Sequence, residues 1–467
     1  MQQFKPKLNS YKSTDTVYST STIVEGSSTD HSVIQKSEEN LKANASESNK
    51  TNSAVSDVRP ETSITSADVD TIPDGGIRAW LVVFGAAFCH FTTHGYTNTW
   101  GLFQAYYQNS FLGGLSPSTI SWISSLQHFV LPVPFLIGGH FFDMGYFHSV
   151  FFVSSVILVA VTILTAQCTS FWQLMLFQGL ITGFCNGAIC APLVPIISQW
   201  FDKKRPIALG IALFGTSLGG TVFPIVVREL LPRAGFQWTM RILGFIMTGA
   251  LAIGNLTIRR RVPPRIHSPS PLITLSPLTF VPFTTYCFSA IAVHFGLYSF
   301  TTYVASTAVS KGVPQNFTFY LISIMNATMG LGKIAGGCLA NLTGTLNYMI
   351  IVATAIVVIL PAWPQAGTES TLVLVTVFYG LAAGGYYTIM YHITVGLGDS
   401  KLVFGRVALL TLFIAIPGLL GPPAAGEVNK MANMQVMGFY AGGCVLLGVL
   451  LLLVVRFMSI GKLVGKV

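Results

Sequence analysis

From residue 80 to residue 457 the chain repeats one pattern, an apolar run of roughly twenty residues followed by a short polar gap. About 20 apolar residues are what a helix needs to cross about 30 Å of hydrocarbon. Twelve such runs can be drawn: 80–107, 119–142, 147–166, 170–198, 206–230, 238–258, 281–305, 317–341, 346–363, 371–395, 404–426 and 434–457. In lipid every backbone polar group must be satisfied within its own segment, so the runs are read as helices. A transmembrane barrel would alternate polar and apolar residues, and these runs do not. With 51% hydrophobic residues, only 9% charged ones and a mean hydropathy of +0.62, a soluble protein of 467 residues is excluded. The expected fold class is an all-α membrane protein of twelve transmembrane helices in two six-helix bundles.

Charge divides the chain further. Residues 1–77 hold 7 Lys or Arg against 11 Asp or Glu, whereas residues 78–467 hold 19 against 6. Residues 1–73, rich in Ser, Thr and Asn, are expected to be a disordered cytosolic tail. The longest polar gap, 259–280 ("RRRVPPRIHSPSPLITLSPL" and its flanks), separates an amino-terminal bundle, 74–258, from a carboxy-terminal bundle, 281–458. A short tail, 459–467, ends the chain. With the amino terminus inside, the cytosolic loops carry Lys203, Lys204, Arg205, Arg259, Arg260, Arg261, Arg265 and Lys401, against Arg228, Arg233, Lys311 and Lys430 outside. The basic excess is therefore read as a topology signal, with both termini cytosolic, and not as nucleic-acid binding.

Polar residues inside apolar runs cost free energy and mark candidate sites. His90, His94, Thr97 or Asn98, and Gly101 form one stripe on the first span, and Gln178, Thr182 and Asn186 another on the fourth. The eighth span carries Asn326, Gly330, Lys333, Gly337 and Asn341. Lys333 is the sharpest of these, because an ammonium at mid-membrane costs at least about 2.5 kcal/mol. Asp143, Asp202, Glu229, Glu369, Asp399 and Glu427 all fall near span ends, so no acid lies beside it. A cargo anion is one counter-ion for Lys333; the alternative is a lysine that snorkels toward Asp399. His94 can relay a proton or can simply pack. Aromatics crowd spans seven and ten, with Tyr298, Tyr303, Tyr386, Tyr387 and Tyr391 among them, either stacking on a planar solute or packing. The seven cysteines show no metal-ligand spacing and read as small packing residues. No phosphate-cradling loop or nucleophile elbow supports an enzyme.

Several of these stretches resemble the monocarboxylate-transporter branch of the major facilitator superfamily in its fungal form. "DGGIRAW" (74–80) is similar to that branch's entry signature, and "QWFDKKRPIALGIALFGTSLGG" (199–220) to its second signature. "GLYSFTTYVASTAVSKGV" (296–313) and "FYLISIMNATMGLGKIAGGCLANLTGTLN" (319–347) also resemble fungal members. The resemblance implies twelve helices, alternating access around a central site, and a small organic anion or related solute. Where proton-coupled members carry a Lys, an Asp and an Arg, this chain has Asn98, Met329 and Lys333, which shifts weight toward facilitated diffusion, as in relatives that carry riboflavin. The family's loop motif survives in part as Gly139, Asp143 and Gly145 of "GGHFFDMGYFH".

The expected function is a secondary transporter of a small organic solute, a monocarboxylate or related anion. Alternatives are a facilitator of a planar solute such as riboflavin, an exporter of a secondary metabolite, and a non-transporting membrane sensor. Asn98, His94, Asn186, Tyr303, Asn326, Lys333 and Tyr386 are expected to bind the solute. Asp143, Asp202, Lys203, Lys204 and Arg205 are expected to gate the cytosolic side. No cofactor or metal is expected. The partners are the solute, the lipid bilayer and, as a candidate coupling ion, the proton. The protein is expected in the plasma membrane in preference to the vacuolar membrane.

Overall fold

The computed structural model describes residues 72–108, 112, 115, 117–264 and 269–460. The expected tails at 1–73 and 459–467 thus lie almost wholly outside the described residues. Within them the regular structure is helical: α1 (Ile77–Thr92), α2 (His94–Thr97), α3 (Trp100–Tyr106), α4 (Pro117–Val130), α5 (Pro132–Asp143), α6 (Phe147–Thr165), α7 (Phe171–Leu174), a π-helical turn (Met175–Ile181), α8 (Thr182–Cys190) and α9 (Leu193–Trp200). Then come α10 (Arg205–Thr257), α11 (Val281–Ser310), α12 (Gln315–Thr343), α13 (Thr345–Ala362), α14 (Glu369–Gly396), α15 (Val403–Met431) and α16 (Met434–Ile460). Nine helical stretches among the described residues are long and apolar enough to cross a membrane.

Two departures from the expected spans have local causes. α10 runs for 53 residues, which at 1.5 Å per residue is about 80 Å, far more than one crossing. Gly235, with φ 73° and ψ 172°, is its one non-helical residue, and the axis kinks there where a Cβ would be strained. The first span, expected to be continuous, is broken at Thr93 (φ −80°, ψ −80°) and again around Thr99. The hydroxyls of Thr92 and Thr93 both donate back to the Cys89 carbonyl, at 2.9 and 2.8 Å. Such back-bonding competes with the helical ladder and bends it.

Two hydrophobic cores match the two halves of the chain. The first gathers residues such as Leu158, Ile196, Phe223 and Met240, and the second Tyr286, Val293, Trp363 and Leu452. Val403, Val407 and Ala408 of α15 belong to the first core, so the halves are sealed together at that end. Around the outside, Phe152, Val156, Phe245, Ile351, Val358 and Leu450 are exposed, an apolar belt suited to lipid and not to water.

α10 and α12 carry the contact between halves. Gly337 lies so close to α10 that an added Cβ would stand 2.6 Å from the Pro206 carbonyl oxygen. On the opposite flank, the ring of Phe404 fills the space over Gly138 and Gly139 of α5. Both contacts lie toward the end that carries the 201–205 loop, called here the Asp202 end.

Candidate transport cavity

Between the halves lies a cavity of about 1000 Å³. It runs from Lys333, about two-thirds of the way along α12, to Gln104, Arg228, Ser310 and Tyr320, which all belong to the end opposite Asp202. The cavity is therefore shut at the Asp202 end and extends toward the other.

Lys333 is 3% exposed, yet it lines this cavity. Its backbone is gripped from both sides. The Thr388 hydroxyl of α14 donates to its carbonyl at 3.0 Å, and a Cβ on Gly210 of α10 would stand 2.5 Å from that same oxygen. The ammonium donates to Ser217 Oγ at 3.0 Å. An ammonium has three donors, so Ser217 leaves most of its capacity unused. The ion pairs among the described residues join Arg205 to Asp202, Arg233 to Glu229 and Lys430 to Glu427, and none reaches Lys333. Snorkelling to Asp399 is not what the structure shows: Asp399 Oδ1 accepts from the Lys401 N–H at 2.9 Å.

The two asparagines expected at the site do meet. Asn98 Nδ2 points at Asn326 Oδ1 at 3.5 Å, bringing the first span against α12, and both side chains line the cavity. His94 lines it too, as does His90 one turn earlier. Asn186 is buried behind this wall, donating to Thr97 Oγ1 at 3.3 Å.

The aromatic expectation needs correcting by residue. Tyr303 turns away, its hydroxyl donating to the Pro422 carbonyl at 3.0 Å, and Tyr386 is wholly buried against His294. Neither lines the cavity; Tyr298, Tyr387 and Tyr391 do. A tyrosine one residue along a helix points about 100° away, so sequence crowding alone could not choose between Tyr386 and Tyr387. Sequence reasoning also passed over His128, His294 and Arg228, all in the cavity wall. The two histidines were legible as polar residues inside apolar runs. Arg228 was hidden by its counting as a loop charge.

At the Asp202 end the two signature stretches touch. Asp74 Oδ1, from the first, accepts the backbone N–H of Asp202 at 2.6 Å and of Lys204 at 3.1 Å. Burial acts to raise the Asp74 carboxyl, but hydrogen bonds from the backbone of Lys204, Asp202 and Lys203, with the Lys203 charge, hold it below its ordinary value. Arg205 is pinned inward, donating to Asp202 Oδ1 at 2.7 Å and to the Phe201 carbonyl at 3.1 Å. The Lys203 and Lys204 side chains are exposed. Asp143 Oδ2 accepts the Ser270 N–H at 3.1 Å, tying α5 to the central loop. Nearby, Arg406 donates to the carbonyls of Thr394, Val395 and Asp399 at 2.7–2.8 Å, closing the end of α14. No sequence expectation had been attached to Arg406.

Two helical halves, an apolar exterior and a largely apolar cavity set with a few polar side chains and closed at one end define a multi-pass membrane carrier of small molecules. The chain belongs to the Major Facilitator Superfamily, whose family model matches residues 83–397. It is 32% identical to the "MFS transporter asaE" of Aspergillus flavus, over 85% of this chain and 91% of that protein. It is likewise 32% identical to the "Aspyridones efflux protein apdF" of Emericella nidulans, over 82% of this chain and 78% of the relative. The "Agnestins efflux protein AgnL12" of Paecilomyces divaricatus shares 28% identity over 81% of this chain and 87% of its own length. Among solved structures, the human organic anion transporter MFSD10 (TETRAN) superposes with a TM-score of 0.67, covering 81% of this chain and all of that one. At 15% identity that likeness is one of fold.

Proposed function

We propose that this protein exports an acidic organic secondary metabolite by alternating access. In this reading the chain makes twelve crossings, six in 74–258 and six in 281–458, and sits in the plasma membrane with both termini cytosolic. The observation that carries it is Lys333, a buried ammonium with one hydroxyl partner, facing a cavity of about 1000 Å³. A cavity of that size is at the upper end of ligand pockets and suits a bulky solute. The efflux proteins among its relatives favour export over uptake of a small monocarboxylate or of riboflavin.

In the proposed cycle, the cargo's anionic group replaces missing protein carboxylates beside Lys333, while Asn98 and Asn326 hydrogen-bond its polar edge. Tyr298, Tyr387 and Tyr391 supply apolar and stacking surface, and His94 lies within the wall as a polar neighbour. Asp143 and the Asp202–Arg205 loop hold the Asp202 end shut in the described state. For the cargo to enter there, the α10–α12 and Phe404 contacts must part. Among the described residues no carboxylate faces the cavity, so the candidate carriers of a coupling proton are Lys333 and the histidines His90, His94, His128 and His294.

The test is flux of a panel of acids and their neutral methyl esters in proteoliposomes of fixed orientation. Saturable movement of an acid, with the ester excluded, supports the proposal. Binding without flux would make the protein a sensor. Transport of small monocarboxylates or riboflavin in preference to larger acids would replace the cargo assignment.

A further inference from the structure

The first span and α8 bring together three side chains, His90, His94 and Cys190, that the proposed hold on the anion by Lys333, Asn98 and Asn326 does not use. Cys190 Sγ, at the end of α8, stands 3.5 Å from His94 Nδ1 and 3.9 Å from His90 Nδ1. One ligand atom from each residue lies within 4.8 Å of the other two. The two imidazole rings lie with centroids 5.5 Å apart and planes inclined by 45°. Thr93 Oγ1, at 3.1 Å, holds the sulfur in place. The break at Thr93 sits between the two histidines, so the backbone that presents them is irregular in mid-span.

We propose that His90, His94 and Cys190 form a binding site for a soft monovalent metal ion of the copper(I) class. Bond lengths of about 2.0 Å to imidazole nitrogen and about 2.3 Å to sulfur place nitrogen and sulfur about 3.5–3.8 Å apart around a shared ion. The observed separations of 3.5 and 3.9 Å are already near that spacing. A thiolate with two imidazoles is a soft donor set, suited to copper(I) and to zinc, and unsuited to magnesium or calcium.

Charge balance decides between the two. No carboxylate faces this cavity among the described residues, and Lys333 lies in the same wall. When a monovalent ion binds, it takes the place of the thiol proton. The Cys190 S–H bond breaks, the S–metal bond forms, one proton leaves, and the net charge of the site is unchanged. A zinc ion would leave one uncompensated positive charge in a buried place that already holds an ammonium, which a low dielectric penalises. His90 and His94 both line the cavity, so a further coordination position faces the space where cargo would sit.

The site does not depend on the cargo assignment. Its test is anaerobic titration of the full-length protein with copper(I) against a graded series of chelators, with X-ray absorption of the loaded wild-type protein. The expected result is one tightly held copper(I) per chain with a shell of two nitrogens and one sulfur. Zinc should bind more weakly than copper(I). Cys190→Ser and His94→Ala should each weaken copper(I) by at least about a hundredfold, while Cys338→Ser, a change at an exposed thiol, leaves it intact. Stoichiometry unaffected by Cys190→Ser, or an absorption shell without sulfur, overturns the assignment. So does zinc binding more tightly than copper(I). Because the absorption measurement uses the wild-type protein, misfolding of a variant cannot mask the answer.

Discussion

Replacing Lys333 by methionine separates the role assigned to it from a purely structural one, because the two effects have opposite signs. Methionine keeps an unbranched chain of similar length and removes the charge. Burying the lone ammonium costs at least about 2.5 kcal/mol. The hydrogen bond to Ser217 returns about 1 kcal/mol. Lys333→Met should therefore make the empty protein more stable, by about 1–2 kcal/mol. Binding of an anionic cargo should fall in the other direction. A hydrogen bond to a charged group is worth about 1.5–3 kcal/mol, or roughly 10- to 150-fold in affinity. Thermal denaturation in detergent reads the first effect, and the concentration dependence of flux in proteoliposomes reads the second. A variant that melts lower than wild type while transporting anions normally would refute the reasoning, since Lys333 would then be a packing residue.

Gly337→Ala should open the Asp202 end. The new Cβ would stand 2.6 Å from the Pro206 carbonyl oxygen, a backbone atom that cannot rotate away, so α10 and α12 must separate. Thr216→Cys, in the cavity wall, should then label faster from that end, and unchanged labelling would remove the contact from the gate. Arg406→Met leaves three carbonyls at the end of α14 without their donor and should lower stability by about 1.5–3 kcal/mol, measured by denaturation. For Asp74 the sign follows from its lowered carboxyl. Its contribution is complete above the ordinary value of 3.8 and is lost as pH falls through the still lower folded value. Asp74→Asn, tolerated at φ 50°, should cost at most about 1 kcal/mol after solvent screening, constant from pH 5 to 8 and vanishing in acid. A penalty that grows as pH drops would contradict the Asp74 contacts.

The helical class was legible because lipid leaves a chain few options, and hydropathy alone marks the runs. The isolation of Lys333 was legible for a related reason: six acids, all near span ends, can be counted without coordinates. Which face a residue turns to was less legible. Tyr386 and Tyr387 are neighbours in sequence, yet only Tyr387 lines the cavity. The break at Thr93 depends on hydroxyls bonding back to Cys89, which composition does not display. The meeting of Cys190 with His90 and His94 is a tertiary contact across 96 or more residues, and the spacing of the cysteines held no sign of it. Asp74 and the 202–204 backbone were each prominent in sequence, but their union is again long-range.

The account stands most directly on a structure of the protein with a transported acid bound. It predicts the acid's anionic group within about 2.7–3.2 Å of Lys333 Nζ, with Asn98 or Asn326 on its polar edge. An acid seated elsewhere in the cavity, with Lys333 still bonded to Ser217 alone, would contradict it.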